Sequence, residues 1–211
     1  MTCPPPSAAT GAGGDPFERA RRRGRSARTS LDAAERDRAR SAVTDALCAL
    51  DVLATPSGTG RVGLSRPIRD EIDVSGTADE LRSRGWTVWL PVVGAEPSGP
   101  PTMAFRRWDA GDELVAGAFG IEEPPDDGRT AMPAGELTVV VAPCVAVDAA
   151  GTRVGFGAGY YDRALADVDR RPVVVVAAFD VQVLDDELPR RRWDVPAEVV
   201  VTERRTWRPG T

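Results

Sequence analysis

The chain has 211 residues, 42% hydrophobic and 28% charged, with 27 basic and 32 acidic side chains and a net charge of −5. That length suits one domain with a substantial core, no apolar run approaches a helical membrane span, and the acidic balance argues against a general nucleic-acid binder. Histidine and lysine are both absent, which excludes Ser-His-Asp triads, Cys-His pairs, histidine metal sites, Schiff-base catalysis and the P-loop lysine. Every basic residue is therefore arginine, and any phosphate must be held by guanidinium groups, backbone amides, hydroxyls or a metal ion.

Residues 1–15 read as a tail with too little apolar surface to offset its ordering entropy. The tail lacks the apolar block of a signal peptide, so a cytoplasmic protein is expected, with one domain over 16–211. Cys3, Cys48 and Cys144 show neither zinc spacing nor a disulfide framework. Six arginines between Arg19 and Arg28 read as a solvated helix start. Asp32 and Glu35 then form a capping-box pattern before a helix reaching about Leu50, with Ala39, Val43, Ala46, Leu47 and Leu50 on one apolar face. A strand is expected at Val62–Ser65. A second capping box is expected from Thr77 to Glu80, with a C-terminal cap at Gly85, followed by a strand at Thr87–Leu90 that stops at Pro91. Met103–Trp108, Leu137–Ala142, Val173–Phe179 and Glu198–Thr202 are short β-branched runs bounded by Gly or Pro. Two of them, around Val139–Val141 and Val173–Val176, are apolar throughout, the pattern of strands buried on both faces in a mainly parallel sheet covered by helices.

The segment Gly151–Arg163 places Gly155, Gly157 and Gly159 directly before Tyr160, Tyr161 and Asp162, after a buried strand and before a helical stretch. Glycines there let a backbone approach a ligand closely, and amides at a helix start favour negative charge, so the physical reading is a phosphate cradle with Arg153 and Arg163 adding charge. The alternative is a turn that only packs a helix onto a sheet. A dinucleotide fingerprint fails because its third glycine would fall at Tyr160.

The run Val141–Arg163 resembles the signature block of the 5-formyltetrahydrofolate cyclo-ligase family. Asp70-Glu71-Ile72, Val88–Pro91, Phe119–Pro124, Gln182, Leu188-Pro189 and Trp193–Pro196 match further blocks in order. The resemblance implies a three-layer, Rossmann-like α/β domain with a mainly parallel sheet. It also implies ATP-dependent conversion of 5-formyltetrahydrofolate to 5,10-methenyltetrahydrofolate, with magnesium, on small-molecule substrates, by a monomer with no nucleic-acid or membrane partner. By that resemblance Arg153 and Tyr160 act in catalysis. Arg21, Arg153, Val154, Gly155, Phe156, Gly157, Ala158, Gly159, Tyr160 and Tyr161 would bind ATP; Leu64, Glu71, Gly159 and Tyr160 the folate, Glu71 through its pterin ring; Asp162 and Asp194 would hold magnesium. Met103, Phe105 and Trp108 are further candidates for the folate pocket, and for each of them, as for Leu64, core packing is the reading the residue type alone favours. The family's N-terminal lysine position is filled here by Phe17, and Phe156 and Ala158 stand where many relatives carry basic residues. These departures motivate a second reading, a non-catalytic relative that binds nucleotide or folate. A nicotinamide oxidoreductase is disfavoured by the failed fingerprint.

Overall fold

In the computed structural model, which describes residues 14–94, 102–166 and 168–210, most of the expected tail and Cys3 lie outside the described residues. Asp15 caps helix α1 (Pro16–Thr29) by accepting the Phe17 N–H at 3.0 Å, with Pro16 in the first turn, where its missing N–H would have no intrahelical partner. Helix α2 (Ala33–Cys48) starts on the expected capping box. Asp32 accepts the Glu35 N–H at 2.7 Å, and Glu35 accepts the Asp32 N–H at 2.8 Å.

The remaining elements are β1 (Gly60–Gly63), α3 (Ala78–Ser83), β2 (Trp86–Gly94), β3 (Thr102–Arg107), β4 (Val115–Ala116), β5 (Glu122–Glu123), β6 (Val139–Pro143), β7 (Ala146–Val147), β8 (Arg153–Val154), α4 (Tyr160–Ala166), β9 (Val173–Ala177), β10 (Val199–Val201) and β11 (Thr206–Trp207). Seven strands form one sheet in the order β11-β10-β9-β6-β1-β2-β3. Its inner pairs are parallel, and β3 and β11 run antiparallel at the two edges.

The doubly apolar runs behave as their composition demands. Val139, Val141, Val175, Ala177, Val199 and Val201 face one side and pack with Val43 and Leu47 of α2 and Leu81 of α3. Val140 and Val174 face the other and pack with Leu165 of α4. The result is the expected three-layer α/β arrangement.

Two expectations need correction. Thr77 does not cap α3 with its side chain: a 3-10 turn runs straight into the helix, Thr77 has helical φ/ψ of −77° and −16°, and its hydroxyl donates to the Val74 carbonyl at 2.7 Å. Pro91 does not end β2, which continues to Gly94. Opposite Pro91 lies Phe105, whose N–H and C=O both bond Met132 on the far side. Pro91 therefore occupies a non-hydrogen-bonded pair, so its missing N–H removes no bond to β3; on its other flank the β1 ladder ends just there, after the Leu64 N–H to Trp89 carbonyl bond.

β2 lies on one side of β1 and β6 on the other, so the chain changes winding direction between β1 and β6. In an open α/β sheet, the carboxyl ends of strands at such a point form a crevice.

Candidate active site

A cleft of about 1550 Å³ opens there, bordered by Ser65 after β1, Val93 in β2, and Pro143 and Cys144 at the end of β6. Nine arginines line it against four carboxylates, although the whole chain carries −5. A recess with that local balance concentrates anions.

The Gly-rich segment forms one wall. Gly157 and Gly159 have φ of +112° and +66°, the left-handed region in which a Cβ is strained, so the path of this loop requires glycine. Helix α1 holds the loop from outside: Arg21 Nε donates to the Gly155 carbonyl at 3.0 Å, and Arg21 also pairs with Glu18. Arg163 donates to the Ala158 carbonyl at 2.5 Å and lies 5.3 Å from the Tyr160 ring centroid. The Phe119 ring meets Tyr160 edge-on at 6.0 Å.

Arg153, only 4% exposed at its side chain, donates to Asp162 Oδ1 at 2.7 Å and to the Val195 carbonyl. The same Asp162 oxygen accepts the Val195 N–H at 3.3 Å. One residue earlier, Asp194 Oδ2 accepts the Arg191 N–H at 2.7 Å. Asp162 and Asp194 thus flank one turn at the cleft wall. No group of three or more potential metal ligands gathers among the described residues. An ion held by these two carboxylates would complete its shell from water and substrate oxygens, as magnesium commonly does.

Deeper in, Glu71 is nearly buried. Its Oε2 accepts the Ile68 N–H at 3.0 Å, and its Oε1 lies 3.9 Å from Arg28. Burial pushes the Glu71 carboxyl up to about 7, against the pull of the Ile68 N–H and of Arg28. Arg28 itself is 2% exposed and bonds Asp70 at 3.0 Å, while its Nε and Nη1 have no hydrogen-bond partner. Burial would raise the Asp70 carboxyl as well, but the Arg28 bond and charge outweigh it and Asp70 lies below its usual range. Burial also drives the Cys144 thiol up to about 12 and raises the Tyr161 phenol. That phenol lies near Ser65 without a well-formed hydrogen bond. This end of the cleft is a low-dielectric pocket with unsatisfied polar atoms, suited to a polar heterocycle.

Residues 18–203 match the model of the 5-formyltetrahydrofolate cyclo-ligase family. The chain belongs to that family. It is 34% identical over 138 residues to the 5-formyltetrahydrofolate cyclo-ligase of Escherichia coli K12, covering 65% of this chain and 74% of the relative. It is 35% identical over 140 residues to that of Mycolicibacterium smegmatis, covering 66% and 71%. Among solved structures, the 5,10-methenyltetrahydrofolate synthetase of Aquifex aeolicus superposes with a TM-score of 0.74 at 30% identity, over 92% of this chain and 93% of the other. The synthetase of Mycoplasma pneumoniae, at 18% identity and a TM-score of 0.69 over 90% and 99%, shares the fold.

Within this cyclo-ligase family member, Arg21, the run from Arg153 to Asp162, Glu71, Asp194 and Met103 all line the one cleft. Leu64 does not. Strand alternation puts it beside Val62 on the α2–α3 face, fully buried. Phe105 is likewise core, and Trp108 packs under the Arg82 guanidinium at 4.6 Å, away from the cleft. The reading of the arginine cluster as a solvated face fails at Arg28. Gln182, one of the matched blocks, does structural work: it accepts the Phe179 N–H and donates to the Cys144 and Val145 carbonyls. The sequence reading missed Arg191 as a cleft residue and Arg28 as the buried partner of Asp70 and Glu71. Each is one arginine in a run, and nothing in the local pattern separates the buried or stacked member from its exposed neighbours.

Proposed function

We propose that this chain carries out the reaction for which its family is named, the ATP-dependent closure of 5-formyltetrahydrofolate to 5,10-methenyltetrahydrofolate. The observation that carries the reading is a single cleft containing both the cationic Gly-rich wall and the buried Glu71. Pockets for one drug-sized ligand measure about 300–1000 Å³, and 1550 Å³ is room for two.

An amide oxygen is a poor leaving group. Attack of the formyl oxygen on the γ-phosphorus releases ADP and makes that oxygen part of a phosphate. The folate's N10 lone pair then closes on the formyl carbon, the N10 proton is lost, and inorganic phosphate departs. In-line phosphoryl transfer chiefly needs positioning and charge neutralisation, so a chain without histidine or lysine is not handicapped. The backbone from Val154 to Tyr161 would cradle the phosphates, with Arg21 and Arg153 supplying charge. Arg153 also fixes the Asp162 carboxylate. Gly159 and Tyr160 would sit against the formyl group, and ionised Glu71 would accept two N–H bonds from the pterin ring. Asp162 and Asp194 fit magnesium, because each has one carboxylate oxygen engaged by the protein and hard-oxygen chemistry for the other. Bound there, the ion would neutralise phosphate charge.

The same reading takes 16–211 as one domain preceded by a tail of which residues 1–14 are dispensable, with the protein acting as a cytoplasmic monomer on small molecules. The test is to mix protein, 5-formyltetrahydrofolate, ATP and magnesium and follow the near-ultraviolet absorbance of the methenyl product. Product that requires both ATP and the ion supports the reading. Equal product after chelation contradicts the magnesium assignment, and binding of both substrates without product favours the non-catalytic relative.

A further inference from the structure

Three arginines around the Gly-rich wall are already committed: Arg153 to Asp162 and Val195, Arg21 to Gly155 and Glu18, Arg163 to Ala158. Arg191 differs. It lines the cleft and its guanidinium lies 4.2 Å from the Phe17 ring centroid. Among the described residues, no carboxylate lies within ion-pair distance of it. Three other cleft arginines also lie over rings: Arg163 over Tyr160 is already bonded to the Ala158 carbonyl, while Arg25 on Phe156 and Arg192 on Trp193 rest on rings that are 37% and 52% exposed. Phe17 is 7% exposed and packed with Ala20, Ala146, Val154 and Leu184. The seat under Arg191 is therefore part of the core and fixes where the charge stands.

A guanidinium stacked on a ring uses its face and keeps its in-plane N–H donors free to grip phosphate bidentately. Phe17 lies one helical turn before Arg21 on α1, which places the stacked charge beside the arginine that holds the Gly-rich loop. The Arg191 peptide N–H is tied to Asp194, one of the two proposed magnesium carboxylates. We infer that Arg191, seated on Phe17, binds the terminal phosphate of the nucleotide and sets the preference for a triphosphate over a diphosphate. This rests on the proposal that the cleft takes ATP.

The experiment is calorimetric titration of the full chain with ATP and, separately, ADP, both with magnesium and without folate, so that binding is read without turnover. In the unaltered protein ATP binds more tightly than ADP. Arg191→Ala should weaken ATP about tenfold or more and ADP less than twofold, collapsing the ratio. Phe17→Leu, which removes the ring but keeps an apolar side chain in the packing, should lower the ratio part of the way. Arg23→Ala, whose guanidinium pairs with Asp185 and does not line the cleft, should leave it unchanged. An unaltered ATP-to-ADP ratio in Arg191→Ala, or equal weakening of both nucleotides, overturns the inference and leaves the ATP reading standing. Failure of the unaltered chain to bind either nucleotide overturns both.

Discussion

Replacing Glu71 with glutamine removes a carboxyl whose burial raises its pKa from 4.5 to about 7, and the consequences for stability and for binding run in opposite directions with pH. A folded-state pKa above the unfolded value means that the native state holds the proton more tightly. The stabilisation is fully present below pH 4.5 and is lost as pH rises through 7. The shift converts to about 3 kcal/mol as an upper figure. Near 200 residues that corresponds to a melting shift of roughly 6–12 °C. Glu71→Gln should therefore gain on the unaltered protein as pH rises from 5 to 8, while Arg28 keeps its Asp70 partner. Substrate binding shows the reverse trend if the pterin N–H groups need the carboxylate. With a pKa near 7 the ionised fraction rises about tenfold between pH 6 and 8, so folate affinity should rise by that factor. In Glu71→Gln it should be weak and flat with pH. Fluorescence titration with 5-formyltetrahydrofolate in the absence of ATP, beside thermal melts across the same range, reads both. A pH slope in Glu71→Gln equal to that of the unaltered chain, in either measurement, would refute the assignment.

Asp162→Asn should cut turnover strongly with the fold intact and abolish thermal stabilisation by ATP with magnesium, as followed by product absorbance and melting; Asp194→Asn should act in the same direction but less severely. Arg21→Ala should lower turnover at saturating ATP on the order of a hundredfold, as for a lost charged contact in the transition state, whereas deletion of residues 1–14 should leave it unchanged. Gly24→Ala tests the seat of α1. A Cβ at Gly24 would stand 2.0 Å from the Val145 carbonyl oxygen, a backbone atom already bonded by Gln182, so the helix must shift. Chemical denaturation should show a loss of about 1–3 kcal/mol, together with a fall in activity as Arg21 leaves the loop.

The layers were legible because their chemistry is local and periodic. Strands apolar on both faces, such as Val139–Val141, can only be interior, and the Asp32–Glu35 cap formed as spelled. The failures came where tertiary context decided. Pro91 is tolerated inside β2 because its pair with Phe105 of β3 needs no donor and the β1 ladder ends at that point, and Thr77 loses its cap to a preceding turn, neither of which is written in the residue itself. In the site, the glycines announced a loop of unusual conformation, and Gly157 and Gly159 have it. Leu64 was misplaced because a one-residue change of face moves a strand residue from cleft to core. Arg28 and Arg191 were opaque because their surroundings, a buried carboxylate pair and a core aromatic ring, come from segments 40 or more residues away or from the other end of the chain.

The central claim is that the cleft brings the formyl oxygen of the folate onto the γ-phosphorus of ATP. It is tested most directly by supplying 5-formyltetrahydrofolate labelled with oxygen-18 at the formyl oxygen and analysing the inorganic phosphate by mass spectrometry. The account predicts one labelled oxygen in the phosphate for each methenyl product formed. Methenyl product accompanied by unlabelled phosphate, with the label released in water, would contradict it.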